Sequence, residues 1–558
     1  MSEKSTHHKH FPPHKRLFSL LRPEKHDIGI LIFFSVLSGV LYLATPLAVD
    51  AVVQNIAFGG QQQVYIQTLL IFSLAMLAFL VLLSLISAAQ HYVAELIQQR
   101  IFVRLSADVA FRLPRLRLEA YENSRTHEFV NRFLDVTTLQ KSSASILLDG
   151  VNVILSTLIG LMVLAFYHPF LLAFDILLVL ILALILFPMG RSGVKTSVKE
   201  SYAKHAVAGW FEQMVYFPIL FKTPDGKKLS ISRTDELVND YLTQRKAHYA
   251  ILIRQILGLL GLQALASASL LTIGGMLVLE GELTLGQLVA SELIVSAIVA
   301  ALVSLGKHIE IWYDALAATD KLGSLVDLPI EAENGQVPDL PDPHDGTRLE
   351  VRNLSFSFVP DKPVLSQVHL RVDRGETVGI TGAMGSGTGT FLQLIYGLRK
   401  PTEGQILVNN LDLRYWDLHE LRDQVFLLRQ VELFEGTISE NISMGSDKIS
   451  SQTIQKVIEN LGLIRILSDF PDGIETVIDI GGRPLSDTQR IRVCLARALV
   501  RRPSIILIDK MLDGLHPSDS KAIIESLTSP TLGSAVIIAT RDPEILGCCS
   551  KVLNLEKS

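Results

Sequence analysis

Residues 376–400 read ETVGITGAMGSGTGTFLQLIYGLRK, and the order of elements in this stretch decides the fold of the second half of the chain. ETVGITG is strand-like, FLQLIYGLRK has helical spacing, and a glycine-rich turn joins them. Strand, glycine turn and helix start make a phosphate-binding loop, in which backbone N–H groups and the helix N-terminus cradle phosphate oxygens. Its candidate residues are Gly382, Gly385, Ser386, Gly387, Thr388, Gly389 and Thr390. Upstream, LEVRNLSFSF (349–358) alternates as a strand does. Before it, residues 325–347 are rich in proline, glycine and acids without apolar periodicity, which reads as a linker.

Working outward, the first half has a different character. Of 558 residues, 49% are hydrophobic and only 19% charged, and the apolar excess lies before about residue 310. Six runs are long enough to cross a hydrocarbon core about 30 Å thick: Ile28–Val53, Ile66–Ala89, Ile146–Tyr167, Phe170–Met189, Ile251–Leu279 and Leu285–Leu305. No Lys or Arg occurs between Lys25 and Arg100, between Lys141 and Arg191, or between Arg254 and Lys307. Each gap holds two runs and the loop joining them, so the charged segments, both termini and the second half are expected on the cytoplasmic side of an inner or plasma membrane. The spans are expected to continue as helices beyond the bilayer. The His-rich start is read as a solvated, cationic arm. Asp175 and Glu292 stand inside apolar runs and are candidates for a substrate pathway or for helix packing. The net charge of −5 gives no basic face for nucleic acid, and three cysteines form neither a disulfide framework nor a zinc site. The partner surface in the first half is lipid.

Further landmarks follow in order: LFEGTISENI (433–442), LSDTQ (485–489), LARAL (495–499) and ILID (506–509). With the glycine loop and Phe358 they resemble the nucleotide-binding domain of ATP-binding cassette (ABC) transporters. Six spans followed by one such domain resemble an ABC exporter half-transporter. The resemblance implies an all-α six-helix membrane domain and an α/β P-loop domain. The boundaries read as arm 1–27, membrane domain 28–324, linker 325–347 and nucleotide-binding domain 348–558. It further implies coupling helices near Tyr121–His127 and Ala206–Phe211. About 27 residues precede the first run, too few for a peptidase-like domain, so a leader-processing peptide exporter is not expected.

By the same resemblance Phe358 stacks on adenine, Asp509 holds magnesium, and Ser486 and Gln489 belong to the signature that meets nucleotide on an opposing subunit. Several matching positions carry other residues. The loop pattern G-x-x-x-x-G-K-S/T finds Thr388 and Gly389 after Gly387, and Thr390 is one position late, about 100° around the helix. Arg429 replaces the Q-loop glutamine, with Gln430 beside it. Lys510 replaces the glutamate that polarises water, His516 the D-loop aspartate, and Arg541 the switch histidine. Two signature glycines become Asp487 and Thr488. A general base contributes about 10²–10⁴ in rate and oriented charge a comparable factor, so ATP turnover by this chain alone is expected to be negligible. Either ATP is held weakly without hydrolysis, with Lys510 and Arg541 supplying charge, or Lys510 pairs with Asp509 and the site stays empty with no magnesium. The first functional expectation is an exporter subunit working with an ATPase-competent ABC half. A membrane scaffold or regulator, and an atypical homodimeric exporter, are the alternatives.

Overall fold

The computed structural model describes residues 12–58, 62–123, 127–331, 335, 349–467, 470–527 and 533–556. The chain divides into two units, Met1–Ile330 and Glu331–Ser558.

The first unit is helical. Among the described residues, five stretches are long and apolar enough to cross a membrane: Pro13–Gln54, Leu69–Arg115, Arg132–Tyr167, Pro169–Gly190 and Pro224–Leu279. The sixth run opens the helix Leu285–Val326, whose apolar section covers Leu285–Ile298. Gln62–Arg112 and Pro224–Leu279 have 51 and 56 residues, which at 1.5 Å per residue exceeds twice the thickness of a bilayer core. The expected helical extensions are therefore present.

Three local expectations need correction. Of the arm 1–27, residues 1–11 with most of the His-rich start lie outside the described residues, and residues 13–27 do not trail as a solvated arm. Pro13–Leu21 is a helix whose Leu17 is buried with Leu316 and Leu322, because Leu17, Leu20 and Leu21 recur at helical spacing. Arg16 pairs with Asp327. The chain does not reverse near Ala206–Phe211, which lies within the unbroken helix Gly193–Tyr216. It reverses at Phe217–Thr223, between Pro218 and Pro224, where a prolyl ring cannot continue the preceding helix. Of the other tip, Leu118–Asn123 and the helix from His127 are described, while 124–126 lie outside the described residues. Finally, Leu325 and Val326 complete the last helix, Arg117 N–H donates to Pro329 O at 3.0 Å, and Ile330 bridges Leu116. Glu331 instead meets Arg422 through two hydrogen bonds of 2.6 and 2.7 Å, so the division falls at 330/331 rather than at 324/325.

A buried ionic cluster ties three helices together beyond the apolar segments. Lys321, 1% exposed, donates to Ser201 O at 2.9 Å and sits 2.6 Å from His205 Nδ1 and 3.4 Å from Asp135 Oδ2. Burial lowers its ammonium to about 8 although Asp135 pulls the other way.

The second unit contains eleven described strands: β1 (Leu349–Val359), β2 (Lys362–Val372), β3 (Thr377–Gly382), β4 (Glu403–Val408), β5 (Leu411–Asp412), β6 (Val425–Leu428), β7 (Gly436–Thr437), β8 (Val477–Ile478), β9 (Ile505–Asp509), β10 (Ala535–Ala539) and β11 (Lys551–Leu555). An antiparallel sheet has the order β2-β1-β4-β5, and a second sheet, whose strand pairs are all parallel, the order β11-β3-β10-β9-β6. Every residue of IILID and AVIIA is buried, as strands covered on both faces require.

Two predictions follow from this half-membrane, half-soluble plan. In intact cells an impermeant thiol reagent should label Glu280→Cys and spare Lys228→Cys, both positions being exposed; the reverse pattern would overturn the orientation. Asp135→Ala should lower the melting temperature in detergent, by the scale of about 3–5 kcal/mol expected when one partner of a buried pair is removed. Adding Lys321→Met should recover part of that loss, and an unchanged melting curve for Asp135→Ala would show the cluster to be dispensable.

Candidate nucleotide site

The register of the parallel sheet assembles the site. Leu428 pairs with Ile508, so the next residues on each strand, Arg429 and Asp509, come side by side. Ala539 pairs with both Asp509 and Ile380, which carries Thr540 and Arg541 past the end of β9 and beside the glycine loop after β3. Ligands of such sheets bind outside the carboxyl ends of the strands. All the altered positions except His516 and the signature lie at that edge.

The glycine loop has the expected shape. Gly385 and Gly387 both have φ of 85°, a left-handed conformation that side-chain-bearing residues rarely adopt, and open space surrounds Gly385. The helix Thr388–Ile395 starts without any side-chain cap, so its first N–H groups face outward unclaimed by a cap. Ser386 is 1% exposed, and its hydroxyl has no partner among the described residues. Thr388 and Gly389 occupy the first helical turn, followed by Thr390.

Asp509 is buried at the end of β9 and crowds Gly389: a β-carbon there would stand 2.9 Å from Asp509 Oδ2. The same oxygen lies 3.6 Å from Arg429 Nε, while Oδ1 has no hydrogen-bond partner among the described residues. Burial raises the Asp509 carboxyl above the usual carboxylate range, against the pull of Lys510 and Arg429. The ion pair recorded for Asp509 is thus with Arg429, not with Lys510. Lys510 has φ of 58°, donates its backbone N–H to Ala539 O at 2.9 Å and leaves its side chain exposed. Gln430 does not stand in for Arg429, because its amide donates to Glu432 at 3.2 Å.

Arg541 donates from Nε to Gly382 O at 3.2 Å, which puts a guanidinium at the mouth of the loop. His516 Nδ1 is 2.8 Å from Ser518 Oγ, away from these groups. Phe358 is exposed; Arg399 lies 4.8 Å from its ring centre and Phe356 packs edge-on at 4.9 Å. Ser486 and Gln489 form a reciprocal cap on the helix Asp487–Leu499, with bonds of 2.7 and 3.4 Å. Asp487 projects into solvent at the same helix end and pairs with Arg490 at 3.2 Å.

These residues fit the two parts of a magnesium nucleotide unequally. The loop, its free N–H groups and Arg541 suit phosphate oxygens. Magnesium needs hard oxygen ligands at about 2.0–2.1 Å in near-octahedral array. Gly389 offers none, and of the Asp509 oxygens the nearer, Oδ2, already faces a guanidinium, which leaves Oδ1 alone. The metal does not fit, and no described cluster of three or more His, Cys, Asp or Glu offers another metal site.

In the membrane unit, a cavity of about 340 Å³ is lined by uncharged residues, apolar ones such as Leu43, Leu83 and Ile298 together with the polar Ser35, Ser38, Gln90, Asn152 and Thr157. Gln90, 2% exposed, donates to Ser35 at 2.9 Å and to Asn152 at 3.2 Å. Neither Asp175 nor Glu292 lines it. Asp175 is buried between Leu171 and Leu178, both carboxylate oxygens unpartnered among the described residues, and Glu292 leaves Oε2 likewise unpartnered. Gln90 and Asn152 escaped the sequence reading because a lone amide in an apolar run gives no charge or period signal. A count of amides within the spans and at their ends, where Gln90 follows Ala89, is the signal that would have found them.

A membrane-spanning helical unit fused to an α/β unit with a phosphate loop defines the class. Residues 28–302 match the ABC transporter transmembrane region and residues 365–512 the ABC transporter domain. The chain is 25% identical over 503 residues to the alpha-hemolysin translocation ATP-binding protein HlyB of Escherichia coli, covering 88% of this chain and 69% of that one. It is 24% identical over 535 residues to the leukotoxin translocation ATP-binding protein LktB of Mannheimia glucosida, covering 94% and 74%. A solved structure of a bacterial Atm1-family ABC exporter with ATP bound superposes with a TM-score of 0.83 at 21% identity, over 96% of this chain and 95% of that one. The chain belongs to the ABC exporters, as a half-transporter with its membrane and nucleotide-binding domains fused.

The purified chain is expected to hydrolyse ATP no faster than its Asp509→Asn variant in a phosphate-release assay, and Lys510→Glu alone is expected to restore nothing. A clear gain from that one change would show that Thr388, Gly389 and Arg541 do not limit the reaction.

Proposed function

We propose that this chain is the catalytically silent half of an ABC exporter, moving cargo across the membrane beside a second ABC half that hydrolyses ATP. The observation that carries this reading is the meeting of Gly389, Asp509 and Arg429: the carboxylate that the resemblance assigns to magnesium is engaged by an arginine, and the residue after it is a lysine instead of a base. Loss of a general base and of the charge that stabilises the phosphates removes about 10⁴ or more from the rate, well beyond what Arg541 at the loop mouth could return. The nucleotide-binding domain then faces the cytoplasm, as the Lys and Arg gaps require. The uncharged lining of the membrane cavity suits a neutral hydrogen-bonding or amphipathic cargo better than a multiply charged one.

One observation favours the scaffold reading as a second. Asp487 stands at the signature helix end with its side chain 93% exposed, where a carboxylate opposes a phosphate presented by a partner. Affinity purification from native membranes separates the two. A second ABC chain with intact catalytic residues is expected in near-equal amount, with ATPase activity of the pair above that of either alone. Recovery of this chain only, as a homodimer without turnover, would favour the scaffold.

A further inference from the structure

We propose that Arg429 takes the place of the magnesium ion, so that this chain holds the triphosphate of a nucleotide in metal-free form. The proposal deepens the silent-site reading and rests on it, but it concerns binding, where that reading concerns turnover.

Two observations converge on one point in space. Asp509 Oδ2 is at once the atom nearest a β-carbon built on Gly389 and the atom that Arg429 Nε faces at 3.6 Å. Arg429 therefore stands beside the first turn of the helix that the glycine loop opens. Its side chain is 52% exposed, so the guanidinium is not walled in by its pairing with Asp509. Nε serves Asp509, and the two terminal nitrogens keep donors for phosphate oxygens. Arginine is suited to this because its planar fork matches phosphate geometry and it does not lose its proton at any ordinary pH.

The remaining groups point to an anion and away from a cation. Gly385 and Gly387 hold the loop open, the helix start carries no side-chain cap, and the buried Ser386 hydroxyl has no partner among the described residues. Arg541, on the far side, reaches Gly382 O. Arg429 and Arg541 stand at this edge; of its carboxylates, Asp509 faces Arg429 and Asp513 is engaged by the Thr540 hydroxyl. A divalent metal entering here would meet the guanidinium that faces Asp509 Oδ2, with no hydroxyl at Gly389 to complete its ligands. A triphosphate without metal brings four negative charges and finds donors on two sides. The plain alternative is that Arg429 is a loosely held surface arginine that swings aside when the magnesium complex arrives.

The test is equilibrium binding of radiolabelled ATP to the full-length chain in detergent or nanodiscs, once with EDTA and once with excess magnesium chloride. Metal-free binding at least as tight as binding with magnesium is expected. Arg429→Gln should weaken the binding in EDTA at least about tenfold, the scale of one charge-assisted hydrogen bond, and Arg429→Lys should retain part of it. Melting curves of both variants confirm that they fold. Binding that needs magnesium, absence of binding in EDTA, or an Arg429→Gln variant that binds like the parent would each overturn the proposal. Phosphate release read in the same samples keeps the two claims apart: turnover above that of Asp509→Asn defeats the silent-site reading, whereas a magnesium requirement without turnover defeats only this inference.

Discussion

A carboxylate at the end of a fully buried strand has to be paired or give up its charge, because water is no longer there to solvate it. Asp509 is in that position, and the candidate site is arranged around how it is answered. Parallel register decides which residues can reach it. Leu428 beside Ile508 delivers Arg429, whereas Ala539 beside Asp509 carries Thr540 and Arg541 beyond it toward the glycine loop. Lys510, although next in the chain, turns away through a left-handed backbone and keeps its ammonium in solvent. The nearest cation in sequence is therefore not the partner in space.

The same rule shapes the membrane half, where it acts on longer levers. Helices that must satisfy every backbone group internally can leave the bilayer and continue into water without a break, and Gln62–Arg112 and Pro224–Leu279 do so. Outside the apolar segments charge becomes affordable when paired, and Lys321 with Asp135 and His205 is buried there as a connected group. Inside them, Gln90 answers Ser35 and Asn152, while the hydroxyls of Ser38, Thr157 and Ser291 have no partner among the described residues. Asp175 is buried there with both oxygens likewise unpartnered.

Sequence carried most of the fold because its strongest signals are those that physics makes periodic or punctuated. Apolar runs of bilayer length, the gaps in Lys and Arg, and the strand–glycine–helix order of 376–400 are all readable without neighbours in space. What was not readable depended on pairing across distance. Nothing in the order of residues says that Arg429 and not Lys510 faces Asp509, since that follows from the β6–β9 register. The reversal at Phe217–Thr223 was written in FPILFKTP, but the helical pattern on both sides masked it. The packing of Leu17 was hidden by the cationic residues around it, whose charge suggested a tail when one face of the turn was apolar.

The substitutions at the phosphate edge are also mutually consistent, which bears on whether the site is a ruin or a built arrangement. Removing a lysine at 388 while leaving glutamine at 429 would leave Asp509 only the exposed ammonium of Lys510 as a nearby cation. Stranding a buried charge costs about 3–5 kcal/mol, a large share of the 5–15 kcal/mol by which domains are usually stable. Arg429 offsets that loss from another strand. Gly389 belongs to the same adjustment: a serine or threonine there would place its β-carbon 2.9 Å from the carboxylate and force Asp509 outward, away from the position it holds against Arg429. Gly389 and Arg429 thus meet the same oxygen atom, Asp509 Oδ2. If the site forgoes its metal as proposed, that fit is what a folded domain keeping its phosphate cradle requires, whereas independent decay at the two positions gives no reason for it.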